Sequence, residues 1–161
     1  MDWLDFAAII VSVIALGLSI YQFFVERKVN RMEATINAFA ELQKEVLNQE
    51  EYFKADIIAI LEKHKKMEGR SKDADWELIS EYLARLEQFS VGINMDVYSV
   101  DVVDRMAGSY LIKEFNRLLP IIDYKRFKGN TNKRYEEFEM MVKKLSHHNP
   151  NIELKAAYRV S

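Results

Sequence analysis

Phe6 to Val25, FAAIIVSVIALGLSIYQFFV, is a run of twenty residues without a charged side chain. Coiled as an α-helix at about 1.5 Å per residue, it measures about 30 Å, the hydrocarbon thickness of a bilayer. No other stretch of the chain approaches it. The alternatives are a core helix of a soluble protein and a cleaved signal peptide. A signal peptide needs a basic start, a short apolar centre and small residues at its cleavage site. This chain starts with Met1-Asp2-Trp3-Leu4-Asp5, and the bulky Tyr21-Gln22-Phe23-Phe24 stands where small residues are needed. The run therefore reads as a retained membrane helix.

The flanks give an orientation. Asp2 and Asp5 precede the run, and Arg27, Lys28 and Arg31 follow it. Basic flanks stay in the cytoplasm, so the short N-terminus is expected outside and the bulk of the chain inside. Trp3, Tyr21, Phe23 and Phe24 suit the two interfacial aromatic belts. The expected organisation is a transmembrane segment over 1–26, a cytosolic helical domain over 27–150 and a tail over 151–161.

Asp2 and Asp5 aside, 23 acidic side chains balance 23 basic ones, so no global basic field argues for bulk nucleic-acid binding. The absence of cysteine excludes disulfides, thiolate catalysis and zinc–cysteine sites. Five glycines and two prolines among 161 residues, with abundant Leu, Glu, Lys and Ala, point to an all-α protein. Its long N-terminal membrane helix is expected to continue into a helical bundle.

That continuation rests on VERKVNRMEATINAFAELQKEVLNQ, which has no Gly or Pro. Val29, Met32, Ile36, Phe39, Leu42 and Val46 follow 3/4 spacing, and predict one helix from about Leu4 to Leu47. A second helix is expected over Glu51–Lys66, with Phe53, Ile57, Ile60 and Leu61 on one face. Met67–Asp75 reads as the main loop. A third helix is expected over Ala74–Met95, burying Trp76, Ile79, Leu83, Leu86, Phe89 and Ile93. Ser99 is a candidate N-cap for a short helix over Val100–Met106 that Gly108 breaks. A helix over Tyr110–Phe127 turns Leu111, Phe115, Leu118, Leu119 and Ile122 inward, with Pro120 kinking it or starting a new turn. Gly129-Asn130-Thr131-Asn132 reads as a loop, and Lys133–Ser146 as the last helix. The tail shows no strong pattern.

Two features can carry function. On the membrane helix, Asp5, Ala8, Ser12, Ala15, Ser19, Gln22 and Glu26 are spaced alternately by three and four. At about 100° per residue they stay within one narrow arc, while the other faces are mostly Ile, Val, Leu and Phe. A small-and-polar stripe suits helix–helix contact, so a homo-oligomer is expected. It is either a packing seam or a pore lining. In a pore, Ser12, Ser19 and Gln22 border the path, Ala15 and Leu16 constrict it, and Asp5 and Glu26 at the mouths favour cations. A single-pass pore needs about four helices or more.

The second feature is Tyr124-Lys125-Arg126-Phe127-Lys128, followed across a polar loop by Lys133-Arg134-Tyr135. Basic groups track phosphates and aromatics stack on splayed bases, so this stretch can hold a nucleotide or a short single-stranded oligonucleotide. Basic residues in a last helical turn also favour the helix dipole without any ligand. Lys63-His64-Lys65-Lys66, with Arg70 and Lys72, has the same two readings, and a third at anionic headgroups. Catalysis finds little support. His64, His147 and His148 form no metal-ligand motif, and there is no phosphate loop or nucleophile elbow. Neither enzyme activity nor a cofactor is expected.

Tyr82-Leu-Ala-Arg-Leu-Glu-Gln-Phe-Ser-Val-Gly-Ile-Asn-Met-Asp96, Asp101-Val-Val-Asp104-Arg-Met-Ala-Gly108, Leu111-Ile112 and Leu118-Leu-Pro-Ile-Ile122 with Arg126 form a further pattern. It resembles a bacterial domain-of-unknown-function family of short helical proteins, often with one N-terminal membrane helix. Such proteins are similar to membrane effectors of antiphage defence, the nearest kind being the Hailong-type channel effector. That resemblance implies a bacterial inner-membrane channel acting in abortive infection. It also implies closure by short DNA oligomers that a partner nucleotidyltransferase makes. Within the pattern, Gly92 suits close packing, and Glu87 is expected to pair with Arg105 or Arg126.

Overall fold

A computed structural model describes residues 3–47, 56–67 and 73–157. Five helices carry the fold, and no strand occurs among the described residues. They are α1 (Trp3–Leu42), α2 (Ile57–Met67), α3 (Ala74–Asn94), α4 (Val100–Gly129) and α5 (Glu136–His148). A π-helical turn, Gln43–Leu47, closes α1. The all-α expectation and the unbroken first helix hold. The expected start of the second helix near Glu51, its Phe53, and most of the Met67–Asp75 loop lie outside the described residues.

α1 has two parts with different surroundings. Through Val25 its large apolar side chains are exposed, from Ile9 to Phe24, and no other described residue covers them. It is the one described helix long and apolar enough to cross a membrane. Beyond Asn30 it docks on the bundle through Arg31, Thr35, Ala38, Phe39 and Leu42. The expected stripe of Val29, Met32 and Ile36 is instead largely exposed. Polar anchors decide the docked face. Arg31 donates to the Tyr98 carbonyl and to Asp96, each at 2.8 Å. The Thr35 hydroxyl, fully buried, accepts the Ser99 N–H at 2.7 Å.

The core joins α3, α4 and α5. Ile79, Tyr82, Leu83 and Leu86 meet Val103, Leu111, Phe115, Leu118 and Ile122, and Phe138, Met141 and Leu145 close the cluster. Each such buried side chain contributes about 2 kcal/mol by leaving water. The 3/4 periodicity anticipated most of these positions. Trp76 is an exception, only half-buried at the rim.

The expected short helix over Val100–Met106 and its successor meet across a kink within α4, as the glycine predicts. The break in helical dihedrals is at Ala107 (φ −156°, ψ 15°), beside Gly108, and none occurs at Pro120. Gly108 leaves the space taken by Asp104 and by Asn149, whose amide donates to Asp104 at 2.5 Å. Ser99 is the N-cap residue, as expected, but its side chain makes no cap bond. Asn130, left-handed at φ 45°, ends α4, and left-handed Tyr135 at φ 58° delays α5 until Glu136. The tail, patternless in sequence, is tied down: Asn116 donates to the Glu153 carbonyl at 2.7 Å and accepts the Lys155 N–H at 2.9 Å.

Candidate functional site: an aromatic pocket with a cationic rim

Two basic runs distant in sequence meet at one end of the bundle. The end of α2 brings His64 and Lys65, and the end of α4 brings Tyr124, Lys125 and Lys128. The start of α3 adds Trp76, and the α4–α5 loop adds Arg134. These seven residues line a pocket of about 590 Å³, and no acidic residue is among them. Tyr124, Lys125 and Lys128 share a face because residues four apart are neighbours on a helix.

The floor is a set of packed rings. His64 stacks flat on Trp76, with centroids 3.7 Å apart and planes 6° from parallel. Tyr124 meets both edge-on, at 5.9 and 5.7 Å. Burial, reinforced by Lys125 and Lys128, lowers the His64 pKa from its ordinary value against the pull of Asp73. A neutral imidazole is the form that stacks without charge cost.

Lys125 sits deepest among the cations. Its Nζ donates to Ser80 Oγ at 2.7 Å and to the Tyr135 hydroxyl at 3.1 Å. It also lies 5.1 Å from the Trp76 centroid and 5.6 Å from that of Tyr135. Burial, with a smaller contribution from Arg134, pulls its pKa down to about 8. Lys65 and Lys128 flank the Tyr124 ring at 5.4 and 5.9 Å. The result is a concentrated positive site with aromatic walls, suited to an anion carrying a flat group.

The structure sorts the residues that the sequence singled out. Lys125, Lys128 and Arg134 line the pocket, and Tyr135 supports it from behind through Lys125. Phe127 is 65% exposed and is not among the residues lining the pocket. Lys133 lines a separate shallow cleft with Glu87 and Gln88. Arg126 is fully buried, against the expectation of a ligand contact. Its guanidinium lies 2.9 Å from Glu139, and its Nε donates to the Arg134 carbonyl at 2.9 Å. Burial works to raise the Glu139 carboxyl, but hydrogen bonds from Lys143 and Arg126 outweigh it and hold the pKa below the ordinary value. Arg126 thus anchors the loop that presents Arg134.

Glu87 pairs with neither arginine. Its carboxylate accepts the N–H groups of Glu137 and Phe138, at 3.2 and 2.7 Å, and so caps α5. His64 and Trp76 were not expected together; only the fold brings α2 and α3 to the end of α4. Arg70 and Lys72 lie outside the described residues. Among the described residues no cluster of three His, Cys, Asp or Glu could hold a metal.

The stripe on α1 is placed differently. Ser12, Ala15, Ser19, Gln22 and Glu26 are all exposed. The Asp5 side chain lies outside the described residues. Ser12 donates to the Ala8 carbonyl at 2.8 Å, and Ser19 to that of Ala15 at 2.9 Å. Both hydroxyl protons are therefore satisfied within the helix, and the serines do not require an oligomer for that purpose.

A model for a domain of unknown function, DUF4760, matches residues 9–145. The chain belongs to the DUF4760 family. The matched stretch spans most of the apolar part of α1 and every described residue of the pocket lining. No curated protein and no solved structure matches the chain.

Proposed function

We propose that this DUF4760 protein is an oligomeric membrane effector, in which an anionic ligand bound at the aromatic pocket controls a pore formed by several copies of α1. The observation that carries the reading is the meeting of two basic runs around stacked rings, with no acidic side chain among the described residues of the lining. Phosphates neutralise such cations and bases stack on such rings, which suits a short single-stranded nucleic acid. The exposed apolar length of α1 supports the membrane half, with N-terminus outside and bundle in the cytoplasm. Asp5, Ser12, Ala15, Ser19, Gln22 and Glu26 would border the path. The family resemblance favours the bacterial inner membrane, antiphage defence by abortive infection, and a DNA oligomer supplied by a partner nucleotidyltransferase. The ligand acts by binding one state of the pore better than the other.

A non-conducting anchor that recruits a protein partner is the second reading. It is favoured by the serine hydroxyls, which are satisfied without a neighbouring helix.

The test is binding of a fluorescent oligodeoxythymidylate to the full-length protein in detergent, with particle mass measured alongside. The proposal expects about four copies or more and salt-sensitive binding. It expects at least tenfold weaker binding for Lys128→Gln/Arg134→Gln. Binding unaffected by that change contradicts the pocket. A monomer or dimer contradicts the pore and leaves the anchor.

A further inference from the structure

A second concavity lies where α1 leaves the apolar run. It forms between α1 and the first turns of α4 and has a volume of about 780 Å³. Its α1 wall begins at Phe24 and carries Arg27, Lys28 and Arg31; its α4 wall carries Val102 and Arg105. Arg31 is already engaged by Asp96 at 2.8 Å. That leaves Arg27, Lys28 and Arg105 against Asp101, a net positive lining. Among the described residues no ion pair engages those three cations.

The height of these groups decides what they meet. Arg27, Lys28 and Arg31 follow Val25 by about 3 to 9 Å along the helix axis, the depth of phospholipid phosphates when the run is inserted. Phe24 below them, together with Met32 and Met106, keeps an apolar wall beside the charges. Arg105 arrives from 74 residues beyond Arg31, so the fold and not a local basic run completes the group. A second copy docking through this same face would bring like charges, which repel. An anionic headgroup neutralises them.

We propose that this groove between α1 and α4 is a binding site for the phosphodiester headgroup of an anionic phospholipid, held by Arg27, Lys28 and Arg105. The inference rests on insertion of α1 into a bilayer, and on neither the pore nor the aromatic pocket. A lipid seated there bridges the membrane helix and the bundle.

The absence of cysteine allows a clean probe. Full-length Val102→Cys protein is labelled with a photoreactive benzophenone and placed in vesicles of phosphatidylcholine with one-quarter phosphatidylglycerol. Flotation with the vesicles checks insertion. Illumination is expected to add the mass of one phosphatidylglycerol, at least tenfold more often than its share of the vesicle predicts. Arg27→Gln/Lys28→Gln/Arg105→Gln on that background should lose the preference while still floating; each basic group near the surface is worth about fivefold. Cross-linking to a second copy overturns the proposal, as does a preference that survives the triple change. Displacement of the lipid by millimolar glycerol phosphate assigns the site to a soluble anion and also overturns it. Failure to float overturns the membrane reading itself, which the other outcomes leave standing.

Discussion

Lys125 and Arg126 are adjacent, equally basic in sequence, and opposite in role. Arg126 continues the core stripe Leu111, Phe115, Leu118, Ile122, so its burial was legible in the same 3/4 spacing that placed those residues. Its charge, beside Lys125 and Lys128, gives the same position the look of a ligand contact. Removing one partner of a buried pair is costly because the other charge is left unmatched. Arg126→Met is expected to destabilise the bundle by about 3–5 kcal/mol in chemical denaturation, and Arg126→Met/Glu139→Gln to recover much of that loss. Lys125 is only partly buried, and that burial lowers its pKa. Its folded pKa of about 8 lies below the ordinary value of 10.5. Between those values the unfolded chain holds more protons, so stability should rise as pH increases from about 8 towards 10.5. The gain is on the order of 2 kcal/mol after screening at the rim, and Lys125→Met should lack it. Melts across that window, wild type against variant, read the difference directly. Anion binding follows the opposite sign and weakens above about pH 8 as the ammonium is lost.

At the scale of elements, hydrophobic period found the helices and missed the details that polar contacts decide. α1 offered two faces sharing Phe39 and Leu42. The one that docks is completed by Arg31 and Thr35, which a hydrophobic count does not score. The break expected at Gly108 is present at Ala107, where Gly108 gives up its side-chain volume to Asp104 and Asn149, and the kink expected at Pro120 is not. Gly92 is a close-packing position, as its sequence context predicts: the Tyr98 ring occupies the space of a Cβ there. Its carbonyl also accepts the N–H groups of Val97 and Tyr98, each at 2.9 Å. Gly92→Ala should therefore displace the ring and cost about 1–3 kcal/mol. Glu87 caps α5 across the bundle, a partner that no local capping signal predicts. Glu87→Ala should cost about 1–2 kcal/mol, with exchange protection lost first at the amides of Glu137 and Phe138.

Across the whole molecule, a bundle with a conventional core carries a long helix that it covers only beyond Asn30. The sequence already separated these parts, because a charge-free run of twenty residues needs no tertiary information to be recognised. It could not bring His64 and Trp76 to Tyr124, since that meeting depends on how α2 and α3 pack on α4. In the proposed effector the apolar helix spans a bilayer, which its length and composition allow, and the cationic pocket is the means of control outside it. The proposed effector joins the two. Ion flux from liposomes containing the purified full-length protein tests that union most directly, with oligodeoxythymidylate added or omitted and Ser12→Leu/Ser19→Leu measured beside wild type. The account predicts wild-type flux that responds to the oligonucleotide and changes in the serine variant. Vesicles that stay sealed under every condition, with the protein verified as inserted, would contradict it.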